Sequence, residues 1–395
     1  MKAAATLVLR PGKDRSLIHR HPWLYPGSIG RIDGRPVGGD LVRVVAADGR
    51  FMAWGAYSPA STLRARMWSF REEEFPDDAW LEASLAQAIA RRDGLASRSN
   101  ALRLVFGEAD RLPGLVVDRY DQQLVVQFLA AGVEARRKAI IGALARLTGC
   151  AAIHERSDAA TRSREGLEPR EGPLLGPALA GPVEVNEDGV RYQVDVLGGH
   201  KTGFYIDQRD NRRLLASMAQ GRTLLNCFCY TGGFTLAALK FGAREAWSVD
   251  SSADALERAR AQQALNGLAG PSHWLGGDVF ETLKSFLQEG RSFDLIVLDP
   301  PKFAPSAQHV DRAARAYKQL NMLALRLLAP HGRLFTFSCS GAVSVDLFQK
   351  IVAGAAFDAR VDAQMIARLQ AGEDHPVLIT HPEGEYLKGL LLQRI

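Results

Sequence analysis

Three regimes of hydrophobic patterning succeed one another along the chain. Up to about residue 72, short alternating segments ("LVRVVAA", "RFMAWGAY", "TLRARMW") are separated by glycine-bearing pairs at Asp33-Gly34, Gly38-Gly39 and Asp48-Gly49. Alternation of period two with turn chemistry between the runs predicts a compact β-barrel. Glu72, Glu73, Glu74 and Pro76 then mark a boundary, and "DDAWLEASLAQAIARRDGL" reads as a helix with Asp77 or Asp78 as N-cap. "LRLVFGEADRLPGLVVDRYDQQLVVQFL" predicts strands and a hairpin, "VEARRKAIIGALARLTG" a helix ending at Gly149, and "CAAIHER" another strand. A proline- and glycine-rich loop, "EGLEPREGPLLGPALAGP", closes this small α+β region.

From about residue 183 the pattern turns to strand and helix in alternation. A hairpin pattern around Glu187, Asp188 and Gly189 leads into the helical "DNRRLLASMAQG", and then "TLLNCFCYTGGFTLAALKFG", "EAWSVDSSADALERARAQQALNG", "HWLGGDVFETLKSFLQEG", "FDLIVLDPPKF" and "RLFTFSCSG" follow. Short apolar strands each leading into a helix are the signature of a parallel sheet covered on both faces, an α/β architecture. Ligands bind such sheets beyond the carboxyl ends of the strands. The expected organisation is therefore a β-barrel over 1–72, an α+β region over 73–182 and an α/β domain over 183–395.

Composition agrees with a globular chain of two or three domains: 395 residues, 47% hydrophobic and 24% charged. No apolar run reaches the roughly eighteen residues of a membrane span, and the N-terminus has no signal-peptide architecture, so a cytoplasmic protein without membrane association is expected. Charge changes the picture more. Residues 1–71 hold 12 Lys plus Arg against 4 Asp plus Glu, so the whole basic surplus of this net +5 chain sits in its first region. Such a field suits a polyanion, with nucleic acid the commonest, or is simply a solvated basic face. Four cysteines without a paired CxxC framework fit a reducing compartment, and Cys227 and Cys229 read as packing residues. His331, His375 and His381 match no metal-ligand spacing, so no metal is expected, and His375-Pro376 and His381-Pro382 read as loops lining a cleft.

The chemistry concentrates at strand ends. "NCFCYTGGF" carries Gly232 and Gly233, which let a backbone approach a ligand, yet it is neither GxGxxG nor GxxxxGK[ST]. Asp250 ends the next strand, where a carboxylate can accept both hydroxyls of a ribose; Asp278 follows in "GGDVF", within reach of an adenine amino group; and Asp299 opens "DPPKF". Pro300 and Pro301 make a rigid strand exit that holds carbonyls in the cleft, while Lys302 and Phe303 offer a cation for phosphate and a ring for base stacking. Cys339 in "FTFSCSG" is either a small buried hydrophobe at a strand end or a nucleophile at an active-site edge.

Together with "RHPWLYPGSI", "GGHKTGFYIDQRDNR", "LFQKI", "DHPV" and "PEGEYLKG", these stretches run over nearly the whole chain. The chain resembles the bacterial 23S ribosomal RNA cytosine-5 methyltransferases that carry an N-terminal PUA domain, within the class I S-adenosylmethionine-dependent methyltransferases. The resemblance implies a Rossmann-like methyltransferase domain behind a PUA domain and a small α+β domain. It also implies S-adenosylmethionine as cofactor, 23S ribosomal RNA, naked or in an assembly intermediate, as partner, and a homodimer. Cofactor contacts are implied at Gln208, Asn226, Phe228, Tyr230, Gly232, Asp250, Ser251, Asp278 and Asp299, and Cys339 is implied as nucleophile.

The chemistry of the base supplies its own reason for that cysteine. C5 of cytosine is a poor nucleophile until a thiolate adds at C6 and leaves an enamine-like system that can take a methyl group. Asp299, if protonated or sharing a proton with the base at N3 or N4, would favour the negative charge that develops on the ring. A second cysteine directly after the prolines, found in another branch of RNA cytosine-5 methyltransferases, is replaced here by Lys302, and the acceptor of the C5 proton stays unassigned. Competing readings are methylation of a guanine nitrogen, which needs no cysteine, methylation of uracil C5 by the same covalent route, and an inactive RNA-binding assembly factor.

Overall fold

The computed structural model describes residues 3–268, 270–304 and 306–395; Pro305, within the stretch "LDPPKFAPS", lies outside the described residues. The chain folds as two compact units. The first comprises the chain up to Glu187 with Gln193–Ile206 and Asp374–Gly384, and the second comprises Asp188–Tyr192, Asp207–Glu373 and Glu385–Ile395.

In the first unit a six-stranded sheet has the order Trp23–Leu24, Ala65–Ser69, Phe51–Tyr57, Leu41–Val45, Ala5–Leu9, Ile29–Gly34. Asp33-Gly34, expected as a turn, instead ends a strand, because Gly34 pairs with Ala5 and a Cβ on Gly34 would stand only 2.9 Å from the Ala4 carbonyl oxygen. A second sheet of five strands runs Glu171–Leu175, Ala152–Arg156, Gln123–Phe128, Leu115–Tyr120, Ala101–Phe106. Its edge strand Glu171–Leu175 lies inside the stretch expected to be loop; Pro173 is tolerated there because an edge strand can spare a ladder donor. Helices Asp78–Ala90 and Arg137–Thr148 pack on this sheet. Asp77 is the N-cap of the first, accepting from Trp80 N at 2.9 Å, and Gly149, left-handed at φ 60°, ends the second. Arg92 grips Asp110 at 2.7 and 2.8 Å in the interior, a buried pair that leaves neither charge uncompensated.

The second unit is built on a seven-stranded sheet in the order Ser272–Gly276, Glu245–Asp250, Thr223–Cys227, Phe293–Leu298, Leu328–Ser338, Lys388–Arg394, Ala363–Gln370. The first five strands are parallel, as the alternating pattern predicts. Lys388–Arg394 and Ala363–Gln370 add an antiparallel edge. Strand parity explains why the sequence reads as continuous apolar runs. Leu225, Ile296, Leu298, Leu334, Leu390 and Leu392 join one core, and Leu224, Leu295, Val297, Phe335, Phe337 and Leu391 join the other on the opposite face. Helices Val279–Gln288, Val310–Leu327 and Val345–Ala359 cover the first face, and Arg209–Ala216 and Gly233–Lys240 the second. The chain winds outward from Thr223–Cys227 on one side and resumes at Phe293–Leu298 on the other, so a topological switch point falls between these two strands.

Candidate active site

At the switch point the backbone departs from ordinary geometry. After Cys227 the chain runs through Phe228, Tyr230 and Gly232, all left-handed at φ 59°, 48° and 82°. Cys229 N donates to the Val249 carbonyl at 3.0 Å and Gly232 N to the Cys229 carbonyl at 2.8 Å, which ties the loop down. Two non-glycine residues held at positive φ are strained, and strain of this kind gathers where a loop must present its amides to a ligand. Gly232 cannot be replaced without conflict, since a Cβ there would lie 2.6 Å from the Trp274 ring.

Asp250 serves the same loop. Its carboxylate accepts from Tyr230 N at 2.7 Å and from Ser252 N at 2.9 Å, so it buttresses the strand-to-helix turn while each oxygen keeps acceptor capacity. Ser251, beside it, is exposed. Asn226 is buried; its Nδ2 donates to Thr235 Oγ1 at 3.0 Å, and its Oδ1 has no partner among the described residues. Asp278 is exposed and N-caps Val279–Gln288 through Glu281 N at 3.1 Å. On the other side of the switch point, buried Gln208 donates from Nε2 to Asp299 Oδ2 at 3.0 Å and accepts from Asn211 Nδ2 at 2.6 Å, bonds that orient its amide and use half the capacity of each end. Phe303 is half-buried, its ring 4.9 Å from Tyr317 and 6.4 Å from Phe228, whereas Lys302 is exposed. The ring read from the sequence as a stacking platform thus also packs against the core.

Of the four cysteines, Cys227 and Cys229 are buried, and burial pushes both thiols well above their ordinary range. Cys150 packs in the first unit. Cys339 is half-buried just past the end of Leu328–Ser338, the strand next to Phe293–Leu298, which leads into Asp299, with Leu298 opposite Thr336 in register. Parity turns Phe335, Phe337 and Cys339 toward one core and Ser338 toward the other. There the Ser338 hydroxyl donates to the Tyr317 hydroxyl at 2.9 Å, Tyr317 meets Ser340 Oγ at 3.1 Å, and Ala304 N donates to Ser340 Oγ at 3.2 Å. Lys388, 4% exposed, donates to the carbonyls of Ser340 and Val343, each at 2.8 Å. Both serines flanking the cysteine are therefore clamped from behind. Sequence reasoning missed Tyr317 and Lys388; the available signals were a lysine in "PEGEYLKG" and serines on both sides of Cys339.

From the sequence, two of the histidines read as loop residues lining a cleft. His375 and His381 are buried in the first unit, His375 with its ring 5.2 Å from Phe106 and Nδ1 2.9 Å from Asp374, and His381 with its ring 4.4 Å from Trp23. Burial lowers the His381 pKa.

A nucleoside-bearing sulfonium cofactor fits this arrangement: a strained loop that excludes a Cβ at Gly232, an unmatched buried acceptor at Asn226 and a carboxylate at the end of the second strand. Fold and site together define a class I methyltransferase. Residues 173–383 match the S-adenosylmethionine-dependent methyltransferase family and residues 7–70 match the PUA-like domain. The ribosomal RNA large subunit methyltransferase I of Klebsiella pneumoniae (strain 342) is 46% identical over 97% of this chain and 96% of its own length. That of Aeromonas hydrophila is 47% identical over 99% of each. An S-adenosylmethionine-dependent methyltransferase from Streptococcus mutans shares the fold, with a TM-score of 0.83 at 20% identity over 98% of this chain and 99% of that one. The chain belongs to the S-adenosylmethionine-dependent methyltransferase family, in the branch of the ribosomal RNA large subunit methyltransferases I, and its cofactor is S-adenosylmethionine.

Proposed function

We propose that this enzyme methylates C5 of a cytosine in 23S ribosomal RNA, in the cytoplasm, through a transient bond between Cys339 and C6. The observation that carries this reading is the placement of Cys339: half-buried at the carboxyl edge of the sheet, in a turn pinned on both sides, one strand from Asp299. A methyltransferase acting on an exocyclic nitrogen has no use for such a thiol. The large-subunit RNA substrate is supported by the names of the relatives and by the basic surplus of the first 71 residues.

When bound, S-adenosylmethionine supplies an electrophilic methyl group. Gln208, Asn226, the backbone from Phe228 to Gly232, Asp250, Ser251 and Asp278 would hold it, with Asp250 turned to the ribose and Asp278 to the adenine. The target base is first freed from its stack. The Cys339 thiolate adds to C6, forming the S–C6 bond and moving the C5–C6 π pair toward C5 and N3, and Asp299, protonated or sharing its proton with N3, meets the base edge where charge develops. C5 takes the methyl group, a base removes the C5 proton, and the S–C6 bond breaks to restore aromaticity and the free thiolate. Lys302 would meet a phosphate and Phe303 a base face. A division into PUA-like, α+β and methyltransferase regions at about residues 72 and 182 is supported by a separate sheet in each of the first two regions and in the third. A homodimer belongs to the same proposal.

Unmodified ribosomal RNA, labelled S-adenosylmethionine and mass spectrometry of the product nucleosides test the reading. 5-Methylcytidine from the wild type and none from Cys339→Ala is expected. A methylated guanosine, a 5-methyluridine, or equal product from both proteins would contradict it.

A further inference from the structure

Behind the cysteine turn lies a charge that the proposed chemistry has not used. Lys388 begins the strand antiparallel to Leu328–Ser338 and stands opposite Ser338 in register. Parity aligns it with Leu390 and Leu392, so its side chain enters the core face on which Tyr317 also lies. It ends at the carbonyls of Ser340, the residue directly after Cys339, and of Val343. A buried ammonium on two carbonyl oxygens is an unusual way to close a turn, because burial of an uncompensated charge is costly and a neutral side chain would avoid it. The arrangement makes sense if an anion forms nearby.

We propose that Lys388 is a positioning residue for the nucleophile: its ammonium fixes the Ser340–Val343 turn and stabilises the Cys339 thiolate across it. This rests on the reading of Cys339 as nucleophile. Burial lowers the pKa of Lys388, and the charge of Cys339 opposes that lowering, so each group favours the ionised form of the other. Of the other ionisable groups, Tyr386 packs in the same core as Cys339 and donates its hydroxyl to Asp207. Glu385 favours the Lys388 charge and Lys302 opposes it. Tyr317, whose pKa is raised by burial, spends its hydroxyl on Ser338 and Ser340. Asp299, just past the end of the neighbouring strand, supplies no positive charge to a thiolate in either protonation state and is engaged by Gln208.

The test measures the thiol itself. In a Cys150→Ser background, the rate at which iodoacetamide alkylates Cys339, with release of iodide, is followed against pH by peptide mass mapping, without RNA. Wild type should show a midpoint below the ordinary cysteine value of about 8.5. Lys388→Met should raise it by about one unit, slowing alkylation near neutral pH about tenfold, and Lys388→Arg should restore much of the shift. An ordinary midpoint in wild type overturns the inference even if the methionine variant fails to fold. So does an unchanged midpoint in a folded Lys388→Met, or an equal loss in Lys388→Arg, which would make packing the cause. Because no methyl transfer is read, a wrong assignment of the product base would leave this outcome untouched.

Discussion

Cys339 is presented by its neighbours, and the hub of that presentation is one phenol. Tyr317 is buried, and its hydroxyl joins Ser338 and Ser340, so removal leaves two buried hydroxyls short of a partner. Tyr317→Phe should cost about 1–3 kcal/mol in unfolding free energy. It should also lower methyl transfer several-fold while cofactor binding by calorimetry stays within twofold, because the phenol lies behind the turn and outside the cofactor cradle. An equal loss of cofactor affinity would show that the network supports the whole cleft and not the cysteine alone. The residues that could react were legible in the sequence, as strand-end acids and one cysteine beside Asp-Pro-Pro. The residues that hold them were not. Tyr317 sits mid-helix in an apolar pattern, and Lys388 is separated from Cys339 by 49 positions; only the antiparallel pairing of the last strand brings it near.

At the scale of elements, the loop from Phe228 to Gly232 is the cofactor cradle proposed above. Gly232→Ala places a methyl group against Trp274 and imposes φ 82° on a residue that resists it. The variant should lose about 1–3 kcal/mol of stability and at least about tenfold in affinity for S-adenosylmethionine, read by thermal melting and calorimetry. Unchanged affinity would mean that the loop is not the cradle. The glycine pair announced a close approach in the sequence, but the strained backbone at Phe228 and Tyr230 did not, because neither residue type favours positive φ. Asp278 shows a similar limit. It was legible as an acid at a strand end, and its service as a helix N-cap emerged only with the helix boundary at Val279. Likewise the edge strand Glu171–Leu175 was hidden by the prolines and glycines that suggested a loop.

At the scale of the whole molecule, the alternation of strand and helix made the α/β sheet readable, whereas the antiparallel edge and the destination of Asp374–Gly384 depended on long-range packing. That segment delivers His381 to the first unit, and His154 is buried there too, its Nε2 without a partner among the described residues. Burial lowers the pKa of both histidines below the ordinary 6.5. The unfolded chain therefore binds the proton more readily, and stability that is full above about pH 6.5 falls as the pH drops below it. Thermal melting between pH 7.5 and pH 5 should show this loss, with the wild-type slope reduced in His154→Leu. A slope unaffected by that substitution would remove His154 from the account. Among the described residues no helix is long and apolar enough to cross a membrane.

The bond proposed between Cys339 and the base can be caught. Ribosomal RNA transcribed with 5-fluorocytidine offers no C5 proton, so once the methyl group is transferred the base cannot be released and the S–C6 bond persists. With S-adenosylmethionine present, wild-type enzyme should form a complex with this RNA that survives denaturing electrophoresis, and Cys339→Ala should form none. A wild-type protein that methylates ordinary RNA yet leaves no such complex, or a Cys339→Ala variant that traps it equally well, would contradict the covalent mechanism.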